Sequence, residues 1–358
     1  MDPTEDLRYR QSTQFRLWSY TTSTLAALRA KTNSLATTHI ESRLQPVPEF
    51  LTPDEEAQLL KFFTVELLRA AAFCELPTEI RASAAVHMRR FYVTNSVMTY
   101  SPTDLLKTCL FFGSKGEGFY ERLSKFAEKF PNTTAEEVVA GEFLLCQGIR
   151  FCFDVRHPFR ALEGVILELR RLYPDENTRI EQAHARARHI LKFSPLITDA
   201  YFHYTPSQIM FASLSMADKG LADRLLERTF SFPQNGKAED VKPEEEAARA
   251  AMREKILRTI ESCRAMLETE PPERMDEYWG TPECNKTIRP LLKKLRKCRD
   301  PDRADLVALQ RARREQVLNK EKGGKKEGDG GLLNEESEEA REAKRRRVGL
   351  EDPFGPSL

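Results

Sequence analysis

Lysine and glycine crowd together in CLFFGSKGEGFYERL, Cys109–Leu123, and that combination is the raw material of a phosphate-binding loop. The spacing excludes one. A phosphate loop runs Gly, four residues, then Gly-Lys-Ser/Thr, so that backbone N–H groups ring the phosphates and the lysine follows a glycine. Here Lys115 follows Ser114, and Gly113, Gly116 and Gly118 run G-x-x-G-x-G after a helical pattern, which also fails the dinucleotide fingerprint. What remains is the end of an amphipathic helix, with Lys115 in its last turn and glycines that stop it.

A second candidate group is Glu142, in TTAEEVVAGEFLLCQGIRFCFDV, Thr133–Val155. Val138, Leu145, Cys146 and Ile149 form one helical stripe, and Val139, Phe143 and Leu144 fill much of the remainder, which predicts a central helix packed on several sides. Glu142 falls on the first stripe. A carboxylate there must reach the edge of the fold or find a cation, because an unpaired buried charge is too costly. Lys115 ends another apolar helix of the same region. The pattern leaves two readings open: the two residues pair, or each is solvated at its own helix end.

Other chemistry finds little support. The six histidines, His39, His87, His157, His184, His189 and His203, show no metal-ligand spacing and no plausible nucleophile partner. The seven cysteines include no C-x-x-C, which argues against a zinc ribbon or finger, and most sit in apolar runs as ordinary buried thiols of a reducing compartment. No metal, cofactor or catalytic residue is expected. With 56 basic and 55 acidic residues the net charge is +1, against a protein that binds nucleic acid through its whole surface. No apolar stretch suggests a signal peptide or a membrane span, so a soluble intracellular protein is expected.

The elements that must position these residues are helices. Thr52-Pro53-Asp54-Glu55 reads as a capping box with proline in the first turn. Ser101-Pro102-Thr103-Asp104, with the shorter Asp, and Thr205-Pro206-Ser207-Gln208 read the same way, and Thr134 with Glu137 opens a fourth helix. Apolar residues then recur at i, i+3, i+4 and i+7, and hairpin-bounded alternation is missing. The chain also repeats itself. YSPTDLLKTCLFFGSKG, Tyr100–Gly116, aligns without a gap on YTPSQIMFASLSMADKG, Tyr204–Gly220, with Tyr, Pro, Leu, Lys and Gly identical at five places.

These features predict an all-α fold of two tandem five-helix units. The first covers 51–156, with helices near 53–73, 77–95, 102–115, 119–129 and 134–150. The second covers 157–270, with helices near 158–172, 177–200, 206–219, 221–230 and 244–269. A segment 1–50 with a helix at 14–42 precedes them, and a helix at 281–299 within 271–300 follows. Residues 233–243 read as an exposed loop, and 301–358 as a disordered charged tail containing Lys344-Arg345-Arg346-Arg347, either a nuclear import signal or a solvated charge run.

Two five-helix repeats with Lys115 and Glu142 so placed resemble the cyclins. RFYVTNSVMTYSP, RHPFRALEGVILELRRLYP and DAYFHYTPSQI resemble the H-type branch in particular, over about residues 15–300. The resemblance implies a non-catalytic, nuclear subunit that activates the cyclin-dependent kinase of the CDK-activating complex within general transcription factor IIH. The kinase catalytic subunit and a RING-finger assembly factor would be direct companions, the core of that factor would be reached through the complex, and no direct nucleic-acid or membrane contact is implied. The implied substrates of the assembled kinase are the repeat tail of RNA polymerase II and other cyclin-dependent kinases. It also implies that Lys115 and Glu142 form an ion pair at the kinase interface, with Glu117, Cys146, Phe151 and Phe153 beside them. Ordinary core packing is the competing reading for the two phenylalanines. The N-terminal helix adds Phe15, Leu17 and Trp18 as candidate contacts, against the alternative that they pack on the protein's own repeats. The substrate-docking patch M-R-A-I-L of cell-cycle cyclins is missing from LLKFFTVELLRAA. Three rivals remain: a transcriptional cyclin for another kinase, a cyclin-fold initiation factor that binds DNA, and an enzyme. The second would carry an N-terminal zinc ribbon, yet no cysteine precedes Cys74.

Overall fold

A computed structural model describes residues 5–231 and 243–326. Every regular element among them is helical. An N-terminal arm holds α1 (Glu5–Gln11), α2 (Thr13–Trp18) and α3 (Thr22–Glu41). The first repeat follows as α4 (Pro53–Phe73), α5 (Thr78–Thr94), α6 (Pro102–Gly116), α7 (Leu123–Glu128), α8 (Ala135–Ala140) and α9 (Glu142–Gly148). The second holds α10 (Phe159–Leu172), α11 (Asn177–Leu191), the short α12 (Ser194–Ile197) and α13 (Ala200–His203), then α14 (Pro206–Ala217), α15 (Lys219–Ser231) and α16 (Pro243–Glu268). After it come α17 (Arg274–Gly280), α18 (Pro282–Lys297) and α19 (Leu306–Lys326). The compact body ends at Ala308, and the rest of α19 belongs to a separate unit. The loop expected at 233–243 lies outside the described residues apart from Pro243, which opens α16, as do Lys344–Arg347 and the tail from 327 onward; α19 extends into the segment read as tail.

Caps fix where the helices begin. Thr52, Thr134 and Thr205 each accept from the backbone N–H three residues on, and Glu55, Glu137 and Gln208 return the bond. Ser101 makes no such bond. Asp104, the expected partner, instead pairs with Arg299.

Three expected helices are broken. The span 14–42 divides at Ser19–Thr21, where Thr21 caps a new start. The span 177–200 stops at Leu191, before the buried turn built on Pro195. The span 134–150 divides at Gly141, a close approach: a Cβ there would stand 3.0 Å from Leu105 Cδ1 and 3.2 Å from Thr108 Oγ1. The central helix of the first repeat is therefore α5. Every residue from Ala82 to Val93 is buried, and α3, α4, α6 and α9 pack around it. In the second repeat α14 holds that place, among α10, α11, α15 and α16.

Candidate functional site

The end of α6 shows how the glycines are used. A Cβ on Gly113 would lie 3.2 Å from both Ala84 Cβ and Ile80 O, so this glycine lets α6 press against α5. Ser114 turns inward and donates to the carbonyl of Leu110 at 3.1 Å. The next residue, Lys115, therefore points outward. Its ammonium lies 5.3 Å from the ring centre of Phe111 and pairs with the carboxylate of Glu142, the first residue of α9. Of the two sequence readings, pairing holds. The Lys115 side chain is 46% exposed and that of Glu142 28%, so in the free chain the pair is a surface contact, worth about 1 kcal/mol or less.

The far end of α9 is built around strain. A Cβ on Gly148 would fall 2.3 Å from Phe91 Cδ2, so only glycine fits between α9 and α5. Arg150 and Phe151 then both take left-handed backbone, φ 55° and 54°. Each such residue costs about 1–2 kcal/mol. The turn is closed by the Phe151 N–H donating to the Cys146 carbonyl at 2.8 Å. It throws Phe151 outward. Phe151 packs edge-on to Phe143 and Phe153, whose ring meets Phe112, whose ring in turn meets buried His87. The outer members are open to solvent: Phe143 57%, Phe151 57% and Phe153 44%. This corrects the expectation of a helix buried all round, since its short C-terminal half leaves Phe143 outside. Cys146 is half-buried, and burial pushes its thiol up, with the Glu142 carboxylate adding to the effect.

Glu117 closes α6 and is tied inward by an ordered chain of bonds. Ser83 Oγ donates to the Glu117 carboxylate. That spends the only hydroxyl proton of Ser83, so the contact at 2.9 Å with His157 Nε2 must be His157 donating. His157 Nδ1 is then an acceptor, and Tyr201 O–H donates to it at 2.7 Å. One tautomer satisfies all three contacts. Burial, with His87 and Arg90 nearby, pushes His157 down to about 3, which keeps the ring neutral as this ordering requires. His87 is held neutral in the same way, by burial first and Arg90 second, and its Nε2 bonds the Phe153 carbonyl at 3.0 Å. The chain joins α6, α5, the linker between the repeats and α13. No spacing in the sequence announces it, because the partners are 34, 74 and 44 residues apart.

Trp18 does not sit on the surface. It is 0% exposed and two guanidiniums approach its ring, Arg90 at 5.4 Å and Arg150 at 5.3 Å. The direct contact considered for it gives way to packing on the protein's own repeats. The same arm is held by Gln14, whose Oε1 accepts from the Arg156 N–H at 2.7 Å, and by Tyr20, whose N–H donates to Phe202 O at 2.8 Å. Arg29 grips Asp199 bidentately at 2.7 and 2.8 Å, and buried Arg89 adds a bond at 2.6 Å. Burial pushes the Asp199 carboxyl up, but the Arg29 bonds and the charges of Arg89 and Arg29 outweigh it and hold the group well below the usual carboxylate range. Leu17, 38% exposed, is the member of the arm's candidate trio open to contact.

Among the described residues, no group of three His, Cys, Asp or Glu could hold a metal ion, and no helix is long and apolar enough to cross a membrane.

Residues 157–268 match the cyclin C-terminal domain. Cyclin CCL1 of Saccharomyces cerevisiae is 32% identical over 245 residues, 63% of this chain, and the chain spans 62% of that relative's length. Cyclin mcs2 of Schizosaccharomyces pombe is 32% identical over 221 residues, 58% of this chain and 68% of its own. A chain of the CAK complex from Chaetomium thermophilum, solved with bound ATP-γ-S, superposes with a TM-score of 0.80 at 50% identity, over 94% of this chain and all of that one. At 32% identity over an alignment that covers 68% of mcs2, this chain belongs to the cyclin family.

Proposed function

We propose that the chain is the regulatory cyclin of a CDK-activating kinase, a nuclear, non-catalytic subunit that binds a cyclin-dependent kinase and holds it active. The observation that carries the reading is the exposed Lys115–Glu142 pair beside exposed Phe143, Phe151 and Phe153, on a cyclin fold whose similar structures include a CAK complex. A yeast TFIIK complex of Kin28, Ccl1 and Tfb3, similar at a TM-score of 0.57 and 28% identity, supports a kinase and an assembly factor as companions.

The physics needs no reacting group. A protein kinase transfers phosphoryl efficiently when its strand lysine is paired with a glutamate on a mobile helix. A rigid face that binds the active arrangement better than the inactive one shifts the population by that difference. Lys115 and Glu142 offer donors and acceptors to kinase backbone, and the phenylalanines offer apolar area, in an interface on the order of 2,000 Å² or more. The strained Arg150–Phe151 turn presets the outward rings, so less ordering remains to be done on binding. The test is phosphorylation of a polymerase-tail peptide by the kinase subunit with and without this chain. Strong activation that is lost on Lys115→Ala with Glu142→Ala supports the reading. Activation that survives both changes removes the assigned face, and failure to bind that kinase removes the partner.

A further inference from the structure

Helix α18 has two unlike sides. Ile288, Leu291, Leu295 and Cys298 follow one another at i, i+3, i+7 and i+10, are buried, and face the body, where α18 packs on α4 and α17. Each is preceded two residues earlier by a cation: Lys286, Arg289, Lys293 and Arg296, with Lys297 alongside. Two residues are about 200° around a helix, so the cations lie opposite the seam. All five are exposed, and among the described residues none makes an ion pair or side-chain hydrogen bond. The file is about 16 Å long. Five unneutralised like charges along one ridge raise one another's energy, and nothing in the packing of α18 requires them.

We propose that this outer face of α18 docks an acidic segment of a partner protein, of helical form with carboxylates on one stripe. Lys286, Arg289, Lys293 and Arg296 stand about 4.5–6 Å apart along the axis, the interval at which i, i+3 and i+7 carboxylates recur on a facing helix. A nucleic-acid duplex fits less well. The cations are confined to one face of a single helix, and the neighbouring cation Lys294 is already taken by Glu55 at 2.8 Å and by exposed Glu49 at 2.6 Å. Those carboxylates border the ridge and would oppose a backbone that carries charge on both sides of its groove. The chain's net charge of +1 supplies no wider field to offset this. The docking surface is independent of the kinase-activation reading.

Fluorescence anisotropy of the intact chain tests it, with two probes at about 50 mM salt, where exposed charges are weakly screened. One probe is a labelled helical peptide of roughly 20 residues with glutamate at i, i+3 and i+7, and the other a duplex of equal total charge. The proposal expects the peptide to bind more tightly than the duplex. It expects the variant Lys286→Glu, Arg289→Glu, Lys293→Glu, Arg296→Glu to lose at least about ten-fold in peptide affinity with unchanged circular dichroism. A control variant reverses four exposed cations elsewhere, Lys31, Lys125, Arg160 and Lys255, and is expected to keep its peptide affinity within about two-fold. An equal loss in both variants, peptide binding no tighter than duplex binding, or no measurable peptide binding overturns the proposal.

Discussion

His157 Nε2 lies 2.9 Å from Ser83 Oγ, so the linker between the two repeats donates a hydrogen bond to the central helix of the first. Because Ser83 hands its own proton to Glu117, the arrangement has one direction, from Tyr201 to the end of α6. Ser83→Ala removes the acceptor for a buried ring N–H and frees Glu117. The expected cost is about 1–3 kcal/mol, with faster amide exchange over residues 113–119. Tyr201→Phe leaves Nδ1 unpaired at a similar cost. If the chain is one unit, the double variant loses less than the sum of the two. Additive losses by chemical denaturation, or unchanged exchange at 113–119, would separate Glu117 from the linker.

Gly148 makes a simpler claim. A methyl group there would meet the Phe91 ring at 2.3 and 2.7 Å and Asn95 Nδ2 at 3.3 Å. Phe91 is wholly buried on α5, so its ring cannot turn out to solvent to make room. Gly148→Ala is expected to destabilise by about 1–3 kcal/mol through overpacking, despite alanine's better helix propensity. Gly164, with no atom within 4 Å of the added Cβ, is the matched control, where the same change stabilises by up to about 1 kcal/mol. Calorimetric melting of the two variants in opposite directions is the expected result; a Gly148→Ala melt at or above the parent temperature refutes the packing account.

The Gly148 position also marks what the sequence discloses. Helix starts were legible because a cap is local: Thr52, Thr134 and Thr205 each carry their partner three residues on. Ser101 misled because Asp104 answers to Arg299, 195 residues away. The repeat was legible in the shared proline caps and apolar phase. The breaks were not: Gly141 looks like any helical glycine until α6 closes on it. Lys115 and Glu142 could be placed on their helices from periodicity and paired only as one of two readings. The relay through Ser83 and His157 and the two guanidinium contacts on Trp18 depend on tertiary distance alone, and a tryptophan on an amphipathic segment fits equally well inside or outside.

Acid stability should have a definite shape. His87 and His157 are neutral when folded, each pushed down to about 3 by burial, while the unfolded chain protonates near 6.5. A base depressed in the folded state gives stability that is present above about 6.5 and lost as pH falls towards 3, at about 1.4 kcal/mol per pH unit for each ring. Glu56 acts the other way. Burial pushes it up to about 7, against the hydrogen bond from Ser96, so its contribution is present below about 4.5 and is lost as pH rises to 7. Between about 4.5 and 6.5 the carboxyl offsets part of the histidine loss, and below 4.5 nothing from Glu56 does. Glu56→Gln keeps an acceptor for Ser96 and removes the charge. It is expected to raise stability at pH 8 by about 1–3 kcal/mol and to leave pH 4 nearly unchanged. Equal effects at both values in urea titrations would show that Glu56 keeps an ordinary carboxyl.

Whether the Lys115–Glu142 pair serves the fold or a partner is decided by exchanging its charges. In the free chain the two side chains are 46% and 28% exposed, so either single alanine variant should change stability by no more than about 1 kcal/mol. In the proposed kinase interface the pair would be desolvated, and removing one member would strand the other, at a cost of about 3–5 kcal/mol. Glu142→Ala is therefore expected to weaken kinase binding by at least about ten-fold while the melting temperature holds. The double exchange Lys115→Glu with Glu142→Lys restores an ion pair of the same geometry in isolation. A pair that only braces α6 against α9 works equally well either way round, and binding would then return to the parent value. A pair whose ammonium and carboxylate each meet a particular backbone carbonyl or N–H of the kinase is reversed along with its partners' requirements, and binding stays lost. Calorimetric titration of the kinase subunit with the parent, the alanine variant and the exchanged variant distinguishes the two, and recovery on exchange would remove these residues from the interface.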